Sequence, residues 1–475
     1  MSVWLDVTTM HLWRRPALGI VRVECEIARS FLASGRSDIR YCLFDTATGC
    51  YTEVSNETLR IELARLDRGD IDVAPAPETQ TPADYAQVHR LTIKDWCKKA
   101  AYGIVGLFPR CYQGRMLLGL RSWYEYFRKT RAWDAFHFII RNFGRKALFY
   151  SHKIHASGAD IFLPERYYPP FADGDVYISL GIDWDHKDLK HIYDLKKKIK
   201  ITAVFCCYDI IPIIFPQYCV VGVPEKFPVY FADVAWCSDV ILCISKCSEK
   251  DLHCYLDRIG SPRPLTRVIR LGSVSGLVND VSNVSLEVRR ICEQSFILYV
   301  STIERRKNHG VLYEAYLALV NSGCRDLPLL VFVGMQGWGV DELMTQIASD
   351  ERVSPYLRIL NHVSDAELAI LYKSTLFTVY PSFYEGWGLP VAESLAYGKF
   401  CLASNAASIP EVGGGLVDYL DPHVAESWAA TIVRFLDNPE ELKLREQRIE
   451  KEYTPTRWAE TAHNIMEIIE TVQNS

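Results

Sequence analysis

The sequence predicts an α/β protein built as two Rossmann-like, doubly wound domains that face each other across a cleft. Three observations carry the expectation. Short apolar runs alternate with amphipathic stretches from the first residues; the same alternation restarts near Phe296; and a stretch with no clear period, 272–288, lies between the two blocks. Strands joined through helices give parallel sheets covered on both faces.

In the first block, 3–7 reads as a strand and 19–32 as a helix with Ile20, Val23, Ile27 and Phe31 on one face. A strand at 39–44 follows. After an interruption come a strand at 176–180, a polar helix at 185–198, and strands at 201–207 and 240–244. Ser245 then suits an N-cap, with Ser248 and Glu249 in the first turn. In the second block, 296–300 is a strand and 308–319 a helix. The run 329–333 is continuously apolar between Pro328 and Gly334, as expected of a strand covered on both faces. A strand at 357–360, a helix capped by Ser364 and running to Lys373, a strand at 376–380, a helix opening at Pro390, a strand at 400–403 and further helices complete the block. The expected domains are 1–280 and 290–455, with 456–475 a closing helix that packs back on the first domain. In such sheets ligands bind beyond the carboxyl ends of the strands, so the cleft is where chemistry is expected.

Composition narrows the function classes. The 475 residues are 49% hydrophobic, 23% charged and 12% aromatic, which excludes wholesale disorder and fibrous repeats. A formal charge of −5 argues against a general nucleic-acid binder. No apolar run approaches the roughly 18–20 residues needed to cross a bilayer; the longest, 201–215, is broken by Asp209 and Pro212. The start lacks a basic region followed by an apolar core, so no secretory signal is expected. Fifteen cysteines is an odd number for a disulfide framework, and the expectation is a reduced, cytoplasmic protein. Cys237, Cys243, Cys247 and Cys254 cluster at spacings that fit buried thiols in a strand and helix better than zinc knuckles.

The interruption at about 78–166 differs from the rest. Residues 90–150 hold 13 Lys/Arg against 3 Asp/Glu, interleaved with aromatics as in Trp123-Tyr-Glu-Tyr-Phe-Arg-Lys-Thr-Arg-Ala-Trp133. Basic, aromatic helices suit either an anionic membrane surface or packing on the first domain with their charges in water.

The densest cluster of special residues is Tyr380-Pro-Ser-Phe-Tyr-Glu-Gly-Trp-Gly-Leu-Pro-Val-Ala-Glu393. It holds Glu385 in a loop and Glu393 on a helix. Gly386 and Gly388 let the backbone approach a ligand, and Pro390 suits the first helical turn. A strand feeding a Gly-rich loop and a helix N-terminus offers N–H groups to an anion such as a pyrophosphate. The two carboxylates can accept hydrogen bonds from sugar and ribose hydroxyls.

Glu385 through Glu393 resembles the E-x7-E signature of the retaining GT-B glycosyltransferases of family four. The likeness continues through Ala396-x-Gly398, Ser404 and Ile409-Pro-Glu-Val-Gly413. Val300-Ser-Thr-Ile-Glu-Arg-Arg-Lys-Asn308 resembles that family's phosphate-binding strand and loop, and Asn361-His-Val-Ser-Asp-Ala-Glu-Leu its base-pocket segment. The first half is similar more thinly, through Trp4-Leu-Asp-Val-Thr8, Gly19-Ile-x-Arg22 and Tyr208-Asp-Ile-Ile-Pro212, which look like a polysaccharide-assembly branch.

The resemblance implies roles residue by residue. Lys307, with Arg306 beside it, would clamp the donor pyrophosphate and neutralise the leaving diphosphate, where a fixed cation in a closed cleft stabilises most. Glu385 would hold hydroxyls of the transferred sugar, and the backbone of Gly386, Trp387, Gly388 and Leu389 would line the sugar–phosphate path. Glu393 would take the ribose, His362 and Val363 would sit against the base, and Gly19 would leave room for phosphate. Arg22, Tyr208 and Asp209 would stand on the acceptor side. Ser301 and Thr302 occupy positions where many such enzymes carry Arg, so their hydroxyls would help hold the pyrophosphate. Tyr208-Asp209 replaces a frequent His-Asp, and Tyr does not titrate near neutrality; Asp209 equally suits a turn before Pro212.

The implied function is transfer of a hexosyl group, mannosyl from GDP-mannose as first choice, to a lipid-linked or growing surface polysaccharide. With the basic insertion, this points to an acceptor on undecaprenyl diphosphate at the inner face of a bacterial membrane. No metal or other cofactor is expected: the Asp-x-Asp pairs Asp70/Asp72, Asp173/Asp175 and Asp183/Asp185 do not follow the donor motifs. The alternative is a non-catalytic nucleotide-sugar or glycan-binding subunit of an assembly complex. A dinucleotide oxidoreductase is disfavoured because the first turn lacks G-x-G-x-x-G, and a Ser hydrolase because no G-x-S-x-G elbow occurs.

Overall fold

The computed structural model describes residues 1–14, 17–45, 49–68, 170–187, 189–273 and 284–473. The expectations for 78–166, including the basic aromatic segment, the pair Asp70/Asp72 and most of the expected linker fall outside the described residues. Both lobes belong to one compact unit, Met1–Asp70 with Pro169–Ser475.

Among the described residues the first lobe has seven strands: β1 (Val3–Asp6), β2 (Ile39–Asp45), β3 (Cys50–Val54), β4 (Val176–Ser179), β5 (Thr202–Cys207), β6 (Val240–Cys243) and β7 (Leu265–Val268). Their order is β3-β2-β1-β4-β5-β6-β7, parallel except for the β2–β3 hairpin. The second lobe has six: β8 (Phe296–Val300), β9 (Leu329–Val333), β10 (Leu357–Leu360), β11 (Thr378–Tyr380), β12 (Cys401–Ser404) and β13 (Asp418–Leu420). They run in the order β10-β9-β8-β11-β12-β13, all parallel. Each order reverses direction beside its first strand, the switch point where doubly wound sheets open a crevice.

The central strands β1, β4, β8 and β9 are apolar and almost wholly buried, because helices cover both faces. The expected polar helix at 185–198 is two pieces, Asp183–His186 and Lys190–Lys196. The closing helix Trp458–Gln473 buries Trp458, Ala462, Ile465, Met466 and Ile469 in the first lobe's core, against the helix Ile20–Ser34.

Two of the Asp-x-Asp pairs turn out to be framework. Asp175 accepts from Trp4 Nε1 at 2.9 Å and from the Ser2 amide at 2.7 Å. Asp183 and Asp6 both lie 2.7 Å from the buried Lys187 ammonium at the carboxyl ends of β4 and β1. Of the four clustered cysteines, Cys237 and Cys243 are buried and Cys254 is exposed.

Candidate active site

The loop after β8 delivers the cations. Ser301 to Glu304 leave the strand, Arg305–Lys307 make one tight turn, and Asn308 reverses the chain with a positive φ of 58°. Tyr299 donates its hydroxyl to Lys307 O at 2.5 Å, and Asn308 Nδ2 donates to Pro381 O at 3.1 Å and Pro422 O at 2.7 Å. Phe383 N donates to Arg306 O at 2.9 Å. The cation turn is thereby tied to the loop after β11 that carries Glu385.

The charged groups meet at this junction. Lys307 Nζ lies 2.6 Å from Glu385 Oε1 and 3.3 Å from the Tyr380 hydroxyl. Arg306 lies 2.8 Å from Glu385 Oε2 and 2.7 Å from Glu304 Oε1, and donates to Tyr384 O at 2.8 Å. All four charged side chains are largely buried. Burial pushes the Glu385 carboxyl up, but Arg306 and Lys307 outweigh it and hold the group at about 2, firmly ionised. Burial and the like charge of Arg306 push the Lys307 ammonium below its ordinary range. Burial raises Glu304.

Glu393 sits on the helix Leu389–Ala396, which opens at Gly388 with a φ of 118°. Tyr372 donates its hydroxyl to Glu393 Oε2 at 3.0 Å, and Tyr397 stacks on the Tyr372 ring. The other oxygen accepts from Arg22 Nη1 at 3.0 Å, a contact spanning the two lobes. Burial works against the Arg22 charge, yet Glu393 and Asp365 raise its pKa on balance. Arg22, expected on the acceptor side, thus pairs with Glu393 of the second lobe. Gly19, three residues earlier, is the N-cap of the helix that bears Arg22, and among the described residues nothing beyond its chain neighbours lies within 4 Å of where a side chain would start.

Several of the expected site residues have protein contacts of their own. Gly386 approaches protein: a Cβ there would lie 2.4 Å from Tyr208 O and 3.0 Å from Asp209 Cβ, so the glycine lets the two lobes touch. The Trp387 ring packs in the first lobe's core cluster with Tyr208, so it is its backbone alone that follows the loop. The Tyr208 hydroxyl donates inside the fold, to Leu180 O at 2.6 Å. Asp209 makes the turn: its Oδ1 accepts from Ile211 N at 3.0 Å, and its carboxyl, raised by burial, is countered by the nearby Arg306.

Ser301 Oγ lies 3.2 Å from Thr302 O and 3.4 Å from His309 Nε2, while Thr302 is exposed. His362 is exposed with a φ of 59°, and Val363 packs beside Leu360 and Tyr372 on the loop after β10. The structure therefore gathers Arg306, Lys307 and Glu385 at one point and Arg22 and Glu393 at another. His362 and Val363 stand on the loop before the helix that bears Tyr372.

Residues that sequence reasoning missed hold the lobes together. Glu411 caps the first-lobe helix Lys246–Ile259, accepting from Lys246 N and Cys247 N at 2.8 Å each. Tyr384 donates to Asp251 Oδ2 at 2.6 Å, and Tyr218 stacks on Phe383. Glu411 had a signal, its place in the Ile409–Gly413 segment; Asp251 and Tyr218 had none. Among the described residues no three His, Cys, Asp or Glu side chains are grouped to hold a metal ion.

Residues 287–454 match the family model described as glycosyl transferases group 1. The chain is 34% identical over 153 residues to the O-antigen chain mannosyltransferase B of Escherichia coli, covering 32% of this chain and 40% of that protein. It is 29% identical over 202 residues to the serotype-specific mannosyltransferase WbdA of Escherichia coli, covering 40% of this chain and 24% of that one. The matches thus span less than half the length of either relative. Sucrose-phosphate synthase from Thermosynechococcus elongatus superimposes with a TM-score of 0.55 over 99% of both chains at 15% identity, a likeness of fold. The chain has the GT-B architecture of two facing Rossmann-like lobes, and its residues 287–454 are similar to the glycosyl transferases group 1 model.

Proposed function

We propose that the protein is a retaining glycosyltransferase that moves a hexosyl group, mannosyl from GDP-mannose as first choice, to a lipid-linked or growing surface polysaccharide. The observation that carries the reading is the contact of Lys307 and Arg306 with Glu385 at the carboxyl ends of the second sheet, inside the segment that matches the group 1 model. The names of the two Escherichia coli relatives support a mannosyl donor and an O-antigen acceptor.

In this reading a donor diphosphate replaces Glu385 as the partner of Lys307. As the glycosidic bond breaks, negative charge grows on the leaving phosphate, and Lys307 with Arg306 stabilises it in a site from which water is excluded. Glu385, released from the ammonium, accepts hydrogen bonds from sugar hydroxyls. Glu393 accepts from the ribose. Departure and attack on the same face, with the donor phosphate taking the acceptor proton, is what the family resemblance adds. No metal or other cofactor enters the scheme. An acceptor on undecaprenyl diphosphate would place the enzyme in the cytoplasm at the inner face of the membrane, reached through residues 90–150; among the described residues no helix is long and apolar enough to cross it.

The second reading, a non-catalytic nucleotide-sugar or glycan-binding subunit, draws on the hydroxyls at Ser301 and Thr302 and on the internal use of the Tyr208 hydroxyl. One experiment separates the two. A ligand that binds only the native state raises the melting temperature with its concentration, so GDP-, UDP-, dTDP- and CMP-sugars are ranked by thermal shift. The best is then incubated with a lipid-linked acceptor. Stabilisation with transfer supports the enzyme, stabilisation without transfer or slow hydrolysis supports the subunit, and no stabilisation by any donor contradicts both.

A further inference from the structure

The Arg22–Glu393 contact joins residues 371 positions apart and from opposite lobes. Glu393 is buried on the second lobe, and each of its oxygens already has one protein partner: Arg22 on Oε1 and the Tyr372 hydroxyl on Oε2. A carboxylate offers about four acceptor sites, so each oxygen keeps one for a ligand hydroxyl. The two protein donors fix the plane of the carboxylate, and the free sites then point in set directions. One of the two donors is present only while the lobes are together. Arg22 also lies one helical turn from Gly19, where a Cβ would meet nothing within 4 Å among the described residues.

We infer that Arg22 is a positioning residue for the nucleoside half of the donor. It locks the Glu393 carboxylate in the orientation that receives a ribose diol, and it ties that orientation to approach of the first lobe. The inference rests on the nucleotide-sugar reading above and moves Arg22 from the acceptor to the donor side. A planar fork holding one carboxylate oxygen is not replaced by a lysine ammonium, which gives charge without direction. Because lobe approach brings Arg22 to Glu393 and the carboxylate so oriented receives the diol, a bound diol in turn favours lobe approach, as linkage requires.

The test measures binding of GDP and UDP, each beside its 2′,3′-dideoxy counterpart, by calorimetry to the full chain and to R22Q, R22K and Y372F, with donor and acceptor KM determined for each. Loss of a hydrogen bond to a charged group weakens binding by about tenfold. The wild type is expected to prefer the ribose form, R22Q to lose about tenfold for the ribose form and less than twofold for the dideoxy form, and R22K to recover only part. Donor KM should rise while kcat and acceptor KM hold. Equal weakening of both nucleotides, no weakening, or an effect on acceptor KM alone would overturn the inference. If R22Q fails to fold, Y372F carries the same test, since removing the other donor should erase the same preference. A wild type that binds nucleotides without a ribose preference sinks this inference alone; one that binds neither GDP nor UDP removes the nucleotide-sugar reading and this inference with it.

Discussion

Lys307 Nζ and Glu385 Oε1 stand 2.6 Å apart, and Arg306 closes on the other oxygen of the same carboxylate at 2.8 Å. With Glu304 they form a buried set of two cations and two carboxyl groups. Removing one member of such a set leaves the others uncompensated, which costs about 3–5 kcal/mol. Glu385→Ala should therefore lower the melting temperature of the free protein and recover part of the loss in saturating GDP, because a diphosphate supplies the missing negative charge. Calorimetric melting with and without GDP checks this.

Loss of a contact made in the transition state lowers turnover. Lys307→Ala should reduce transfer by about 10²-fold or more, with donor KM changed far less. Steady-state rates with radiolabelled donor decide it, and full activity in this variant would contradict the role assigned to Lys307.

Gly386→Ala places a methyl carbon 2.4 Å from Tyr208 O, closer than any real contact, and neither backbone can yield cheaply. The lobes should part at this point. Small-angle scattering is expected to show a larger radius of gyration, and transfer should fall, while each lobe keeps its secondary structure by circular dichroism.

Glu411 covers the first two backbone donors of the helix Lys246–Ile259, while the Ser245 side chain takes the third, Ser248 N. Such a cap is worth about 1 kcal/mol. Glu411→Ala should cost roughly that amount in stability, and proteolysis of the lobe junction should speed up. Glu411→Gln, which can still accept hydrogen bonds, should recover about half.

His309 stands between the rings of Tyr299 and Phe332, and burial, with Lys307 nearby, depresses its pKa from 6.5 to about 3. The unfolded chain therefore binds a proton that the native state refuses. The stability tied to a neutral His309 is complete above pH 6.5 and is lost as pH falls from there towards 3, by up to about 1.4 kcal/mol per pH unit. His309→Phe should flatten the dependence of melting temperature on pH in that window; an unchanged slope would contradict the burial argument.

How far the sequence foretold this depends on what each feature needs. Continuous apolar runs set β8 and β9 at their predicted bounds, because a strand buried on both faces has no other pattern to adopt. The hairpin strand β3 escaped notice because Thr52 and Glu53 are exposed and its apolar positions are few. The helix Val223–Cys237 carries Pro228 in its interior, which argues against a helix until packing of Phe227, Phe231 and Val234 overrides it. Ser245 and Ser364 could be read as caps since capping is a short-range bond. The grouping of Lys307 with Glu385 followed from family resemblance, but Arg22, which meets Glu393, and Tyr208, which meets Gly386, lie across the lobe boundary, where no local spacing speaks of them. The contacts of Arg22 and Tyr208 were not legible for that reason: one reaches over to Glu393, the other donates to Leu180 O.

The most direct measurement is a crystal structure of the full chain with the nucleoside diphosphate that stabilises it best. The account predicts its diphosphate within hydrogen-bonding distance of Lys307 Nζ, with Glu385 turned away from that ammonium and the ribose hydroxyls on Glu393. A diphosphate bound away from Lys307, with the Lys307–Glu385 pair intact, would contradict it.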